Sequence, residues 1–378
     1  MEDAATARTS RGRSFRRGLL QRSPLVLAAG AAACLLAVLG VQYFFFGGGM
    51  TGIAEGRLLR ITHDDYVHVA YRVNQLKKNP PQDQAVYVFG GSGAMEVIVG
   101  ERSFSRQIAR NAGGSVTAVS LANHAQSLAQ NLVIADNLPD GDATLLIGLA
   151  PMRFNTPPRE DVGLLASRPL LLRSPRLEEL ARELYDERAP RLGGLPGAFD
   201  FISAYLRQRI RSGPLPGRPL RYDRHYYGPD ATAATPLAKR LTLRKVWRYN
   251  RRHYAANHEY NLAVLRHLVL LARERGFRPV FWDQPLNTFA AGDWGGVLPK
   301  YRAEARRIAD EYDVPYLRID QSLELRDADF ADLYHLMPPA RAVWQEQMAR
   351  AVGELLRAGG DGAGAPAPSG EPAPDATP

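Results

Sequence analysis

Apolar positions along the chain follow two periods. Five short runs rich in β-branched and aromatic residues, at 85–89 (AVYVF), 116–121 (VTAVSL), 143–149 (ATLLIGL), 279–283 (PVFWD) and 314–319 (VPYLRI), read as buried strands. Between them apolar residues recur at helical spacing, over 126–137, over 257–275 with Leu262, Leu265, Leu268 and Leu271 in register, and over 301–312. Strands alternating with helices predict an α/β fold with a parallel sheet covered on both faces, a three-layer α/β/α arrangement. Ligands of such sheets bind beyond the carboxyl ends of the strands.

Three segments depart from this rhythm. Residues 25–46 (LVLAAGAAACLLAVLGVQYFFF) carry no charge and are long enough to cross a bilayer core of about 30 Å, which predicts a transmembrane helix. A cleaved signal peptide has a shorter apolar core, of about 7–15 residues. The single cysteine, Cys34, follows three alanines as a lipoprotein site would, but the apolar run continues well past it, so it reads as an intramembrane cysteine. Residues 151–255 interrupt the alternation with proline-rich turns and short amphipathic stretches, too long for a loop, and predict an inserted cap. The tail from 358 to 378 is rich in Gly, Ala and Pro and is expected to be disordered. The organisation predicted is a cytoplasmic tail over 1–24, the membrane helix over 25–46, a stalk and linker over 47–83, and an exported domain over 84–357.

Charge sets the orientation. Arg8, Arg11, Arg13, Arg16, Arg17 and Arg22 precede the apolar run, against Glu2 and Asp3, so the positive-inside bias keeps the N-terminus in the cytoplasm and exports the rest. Of the net charge of +9 on 378 residues, residues 151–255 alone carry +11 and the remainder −2. One region is basic. For an exported domain beside a bilayer, this predicts lipid head groups or an anionic envelope polymer as partners, and not nucleic acid. Within it Arg244, Lys245, Arg248, Arg251 and Arg252, interleaved with Trp247 and Tyr249, form the densest cluster; a solvated helix face is the plain alternative.

The run VYVFGGSGAMEVIV at 86–99 places Ser92 between glycines where the first strand should give way to a helix. Such a turn presents a nucleophile, cradles an anion, or is only tight. Near the end of the folded region DLYH at 332–335 sets Asp332 and His335 three residues apart before a helix. A carboxylate that fixes one imidazole nitrogen leaves the other free to act as a base for a serine nucleophile. Taken alone, Asp332 would be a helix cap and His335 a structural histidine. The order Ser, Asp, His makes a triad the better reading. No His/Cys/Asp cluster has metal-ligand spacing, and GGSGAME lacks the lysine of a P-loop, so neither a metal nor another cofactor is expected.

These motifs resemble the SGNH (GDSL-like) hydrolase superfamily, whose first strand ends in Gly-x-Ser, here GGS at 90–92, and whose last motif is Asp-x-x-His, here DLYH. The layout is most similar to its membrane-anchored branch, the teichoic-acid D-alanylation protein and alginate-type O-acetyltransferases, with QSL at 126–128 opening a helix and a long insertion after the third strand. The resemblance covers about 85–355 and implies a flavodoxin-like domain with Ser92, Asp332 and His335 as catalytic residues. It further implies an oxyanion donor where Ala125 stands, a position usually held by glycine, and an asparagine donor for which Asn123 and Asn155 are the candidates. Asn287, after the fourth strand, is a candidate for the substrate site. The implied activity is O-acyl transfer or ester hydrolysis on a cell-envelope glycan or lipid-linked glycan, with a membrane-embedded protein as acyl donor. The contrasting expectation is a non-catalytic envelope assembly or anionic-polymer-binding protein on the same fold.

Overall fold

The computed structural model describes residues 23–46, 65–161, 172, 174–185, 225 and 227–362. Five parallel strands, β1 (Gln84–Phe89), β2 (Val116–Ser120), β3 (Ala143–Leu149), β4 (Arg278–Asp283) and β5 (Tyr316–Leu317), form one sheet in the order β2-β1-β3-β4-β5. This is the strand order of flavodoxin-like doubly wound sheets, in which the chain reverses direction between β1 and β3 and opens a crevice there. Phe89 pairs with Ile147 and Ile147 with Phe281, so β1, β3 and β4 end along one edge. The crevice at that edge receives the turn carrying Ser92.

The helices are α1 (Pro24–Phe46), α2 (Asp65–Lys78), α3 (Ser92–Glu96), α4 (Glu101–Ala112), α5 (Leu128–Asp136), α6 (Pro175–Tyr185), α7 (Pro236–Glu274), α8 (Thr288–Ala291), α9 (Val297–Glu311) and α10 (Pro338–Gly362). Alternate residues of each strand face opposite sides. Tyr87, Phe89, Leu145, Ile147 and Phe281 pack with α2, α5, α7 and α9, while Val86, Val88, Leu146, Val280 and Trp282 pack with α3, α4 and α10. Because both faces are covered, β3 is buried at every position and shows no polar alternation.

Three expected boundaries move. The stalk expected over 47–83 is, from Asp65 on, a helix whose Val69, Ala70, Val73 and Leu76 enter the core, so it belongs to the domain. The insertion has no boundary at residue 255, because α7 runs unbroken through that position for 39 residues. Its inward positions, Lys239, Leu243, Val246, Asn250 and Tyr254, follow helical spacing but include polar residues, which hides the period. The tail expected from 358 begins later, since α10 continues to Gly362 on the strength of buried Val352 and Leu356; residues 363–378 lie outside the described residues, as do 1–22.

Residues 24–46 form one helix without acidic residues in its first turn or basic ones in its last, and Leu25, Leu35, Leu36 and Leu39 are exposed. Among the described residues no helix is long and apolar enough to cross a membrane: in α1 the side chains are described without a break only over 24–40.

One buried ion pair ties α3 to α10. Glu96 in α3 meets Arg341 in α10 at 2.6 Å, with side-chain exposures of 0% and 5%. Removing one partner strands the other charge in a dry interior, so Glu96→Ala should lower the unfolding free energy by about 3–5 kcal/mol. Chemical denaturation measures it; a loss below about 1 kcal/mol would mean that the pair does not hold these elements.

Candidate active site

The turn after β1 is shaped by what it excludes. Gly90 has φ +155°, and a Cβ there would lie 2.3 Å from Ala94 Cβ, so only glycine fits. The chain then enters α3 at Ser92, with Gly91 in extended geometry as the N-cap. Two glutamines clamp the turn from neighbouring loops. Gly90 N donates to Gln126 Oε1 at 2.9 Å, and Gln126 Nε2 donates to Leu121 O at 2.8 Å. Ala94 N donates to Gln284 Oε1 at 3.1 Å, and Gln284 Nε2 donates to Gly148 O at 2.9 Å. Loops after β2 and β4 thereby fix the backbone around Ser92.

The Asp-x-x-His loop is equally constrained. His335 Nδ1 lies 2.7 Å from Asp332 Oδ2, while Asp332 Oδ1 accepts from the backbone N–H groups of Tyr334 at 2.8 Å and His335 at 2.9 Å. Tyr227, from the insertion, donates its hydroxyl to Asp332 Oδ2 at 2.9 Å and lays its ring 5.7 Å from the imidazole. Burial alone would raise the Asp332 pKa. The hydrogen bond and charge of His335 and the two backbone N–H groups outweigh burial and bring it down to about 2. The carboxylate is therefore ionised and holds Nδ1 as the protonated nitrogen, which directs Nε2 away from the loop.

Arg341 joins the two motifs: besides Glu96 it donates to Leu336 O at 2.9 Å and Tyr227 O at 2.8 Å. Asn287 braces the loop from behind, donating to Asp327 Oδ1 at 2.8 Å and Asp332 O at 3.2 Å, while its own Oδ1 accepts from Ala290 N at 3.0 Å. Lys239 of α7 reaches Asp327 O at 2.6 Å.

A cavity of about 850 Å³ opens between these motifs, lined among others by Ser92, His335, Ala125, Asn155, Tyr227 and Asn250. Ser92 and His335 thus face one space. Gly93 lies against the Asp-x-x-His loop as well, since a Cβ there would sit 3.4 Å from Tyr334 O. Ala125 has φ +50°, a left-handed conformation that glycine occupies without strain, at the position where the resemblance implied glycine. The helix opening at QSL is also present: Ser127 caps α5 in a capping box with Gln130.

The other sequence candidates divide. Asn155 lines the cavity; Asn123 and Asn287 do not. Asn287 is fully buried with both ends of its amide engaged, so it braces the Asp-x-x-His loop from outside the cavity. Asn123 is held at the turn instead, its N–H donating to Gly90 O at 3.2 Å. Arg244, Lys245, Arg248, Arg251 and Arg252 are exposed on α7, whose inner side supplies Val246 and Asn250 to the cavity. Sequence reasoning missed Tyr227, Asn250 and Arg153. All three lie within 151–255, and Tyr227 and Asn250 reach the site through contacts that no local pattern announces. Arg153 is buried, its pKa lowered to about 9 by desolvation, and it donates to Gln126 O at 3.1 Å, Ser127 O at 3.1 Å, Asn131 Oδ1 at 2.5 Å and Gly148 O. It builds the wall.

Among the described residues His258, Glu259 and Glu304 come close enough to share a metal ion. The Lys300 ammonium lies 3.2 Å from His258 Nε2 and 3.7 Å from Glu304, which supplies the positive charge there already.

Comparison with protein-family models and with curated proteins finds no match to this chain.

The Asp332 contacts carry a pH signature. Its folded pKa of about 2 lies below the unfolded value of about 3.9, so its contribution is complete above pH 4 and is lost as pH falls through 2. The shift corresponds to about 2–3 kcal/mol. The stability difference between the wild type and Asp332→Asn should shrink by that order from pH 5 to pH 2, read by denaturant titration at each pH. A constant difference would mean that the carboxylate is not held ionised by these partners.

Proposed function

We propose that this protein is a membrane-anchored serine O-acyltransferase or esterase of SGNH type, acting outside the cytoplasm on a cell-envelope glycan or lipid-linked glycan. The observation that carries the reading is the placement of Ser92 and the Asp332–His335 pair on one cavity at the switch point of a parallel sheet. Ser92 Oγ attacks an acyl carbonyl and gives its proton to His335 Nε2, while Asp332 holds Nδ1 and stabilises the imidazolium that forms. The backbone N–H groups of Ser92 and Ala125 are the donors for the oxyanion, since both residues line the cavity. When the tetrahedral intermediate collapses, His335 returns the proton to the departing oxygen and an acyl-serine remains. An acceptor hydroxyl or water then attacks, its proton passing to His335 and from there to Ser92 Oγ. Transfer and hydrolysis differ only in that second nucleophile.

The membrane anchor and orientation rest on the uncharged run 25–46 and the arginines before it. A membrane-embedded acyl donor is the partner that such an anchor would serve. A second reading, a non-catalytic binder of anionic polymer, draws support from the exposed basic side of α7.

A fluorophosphonate probe separates the two. The full-length protein should be labelled, Ser92→Ala should abolish labelling, and Asp332→Asn should slow it by a factor on the order of 10³ or more. A folded protein that shows no Ser92-dependent labelling would overturn the enzymatic reading.

The basic side has its own test. Charge reversal at Arg248, Arg251 and Arg252 should weaken binding to anionic vesicles or anionic polymer at least several-fold, and added salt should weaken the wild type in the same way. Binding indifferent to both would leave α7 as a structural cap with incidental charge.

A further inference from the structure

The lining of the cavity contains a polar triple that the catalytic steps do not use. Asn155 follows β3, Asn250 lies on α7, and Tyr334 belongs to the Asp-x-x-His loop; all three line the cavity. Asn250 joins Asn155, its Oδ1 accepting from Asn155 Nδ2 at 2.6 Å, and the Tyr334 side chain lines the same space. Two polar atoms then remain for a ligand. Asn155 is 8% exposed, and its Oδ1 is buried with no hydrogen-bond partner among the described residues. The Tyr334 phenol, which also lines the cavity, carries a proton that it can donate. One atom accepts and one donates.

A hydroxyl satisfies that pair because it both donates and accepts, and a vicinal diol satisfies both atoms at once. A carboxylate has no proton for Asn155 Oδ1 and would leave it unpaired in a dry site. The charges lining the cavity argue the same way. Arg153 is its one guanidinium or ammonium group among the described residues, and its donors are engaged by three main-chain carbonyls and Asn131. Glu160 contributes a negative charge to the lining.

We propose that Asn155, Asn250 and Tyr334 form an acceptor subsite that recognises an uncharged, hydroxyl-bearing group, a neutral sugar ring or polyol, and disfavours an anionic one. The inference rests on the acyl-transfer reading above and names the acceptor class for it. Asn250 and Tyr334 are positioning residues: they orient the hydroxyl that takes the acyl group from Ser92 Oγ while its proton goes to His335.

The test uses the full-length protein in detergent, 4-nitrophenyl acetate as acyl donor, and glycerol or glycerate as acceptor probes of similar size and different charge. Acetyl transfer to glycerol, relative to hydrolysis, should exceed transfer to glycerate at least ten-fold. Asn250→Ala and the milder Tyr334→Phe should each lower the ratio of glycerol transfer to hydrolysis about five-fold or more, so that transfer falls further than nitrophenol release. An unchanged ratio in a folded Tyr334→Phe variant, or glycerate accepted as well as glycerol, would overturn the subsite while leaving the acyl-transfer reading in place. Absence of any Ser92-dependent nitrophenol release would remove that reading and the subsite with it.

Discussion

The close approach at Gly90 is the constraint from which the site follows. With Ala94 Cβ only 2.3 Å from where a Gly90 side chain would begin, the chain can turn out of β1 and start α3 at once. That compactness brings Ser92 to the crevice instead of carrying it past on a longer loop. The same turn exposes backbone N–H groups that a strand ladder would otherwise satisfy, and Gln126 and Gln284 accept two of them. Each glutamine is itself anchored to a main-chain carbonyl, at Leu121 and Gly148, so the loops after β2 and β4 are in register with the turn after β1. A backbone turn held in this way has little conformational freedom left to lose, which is the preorganisation that the role proposed for Ser92 requires.

The second motif is fixed by a different means. Asp332 carries three N–H or O–H contacts besides the imidazole, from Tyr334 N, His335 N and Tyr227 Oη. Tyr227 lies in the segment that first reads as an insertion, yet it touches the aspartate directly and is held by Arg341 through its carbonyl. Arg341 also neutralises Glu96 in the short helix that begins at Ser92. The insertion is thereby part of the site's framework, and α7 strengthens that connection through Lys239 and Asn250.

How much of this is legible in the sequence depends on the range of the interaction. The strands β1, β3 and β4 announce themselves because burial on both faces demands unbroken apolar runs, and they lie within one residue of the spans read from the chain. β5 is shorter than the apolar run 314–319, since Arg318 and Asp320 leave the ladder for ion pairs with Asp283 and Arg302. The start of α7 is hidden for a related reason: its inward positions include Lys239, whose charge is acceptable only because Asp327 meets it from 88 residues away. The glycine-flanked turn at Ser92 and the Asp332–His335 pairing are legible because each is a local motif, whereas nothing local says that Ser92, Ala125 and His335 line one cavity. Tyr227 and the Asn155–Asn250–Tyr334 triple are not legible, because three distant segments must fold together before those side chains have any common purpose.

The distribution of charge is a further consequence of the α7 helix serving two surroundings at once. Its inner positions must satisfy a mixed cavity wall and the packed domain, and they carry an amide, an aromatic ring and a single paired lysine. Its outer positions meet solvent and carry Arg244, Lys245, Arg248, Arg251 and Arg252. Among the described residues no carboxylate pairs with these five, so their positive field acts outside the cavity, over about a Debye length. Inside, the guanidinium of Arg153 is closed off by three carbonyls and Asn131, so the same attraction does not extend into the cavity. Under the proposed function, a long envelope polymer would be gathered by its charges and acylated at a neutral hydroxyl, with affinity and reaction specificity set on opposite sides of one helix.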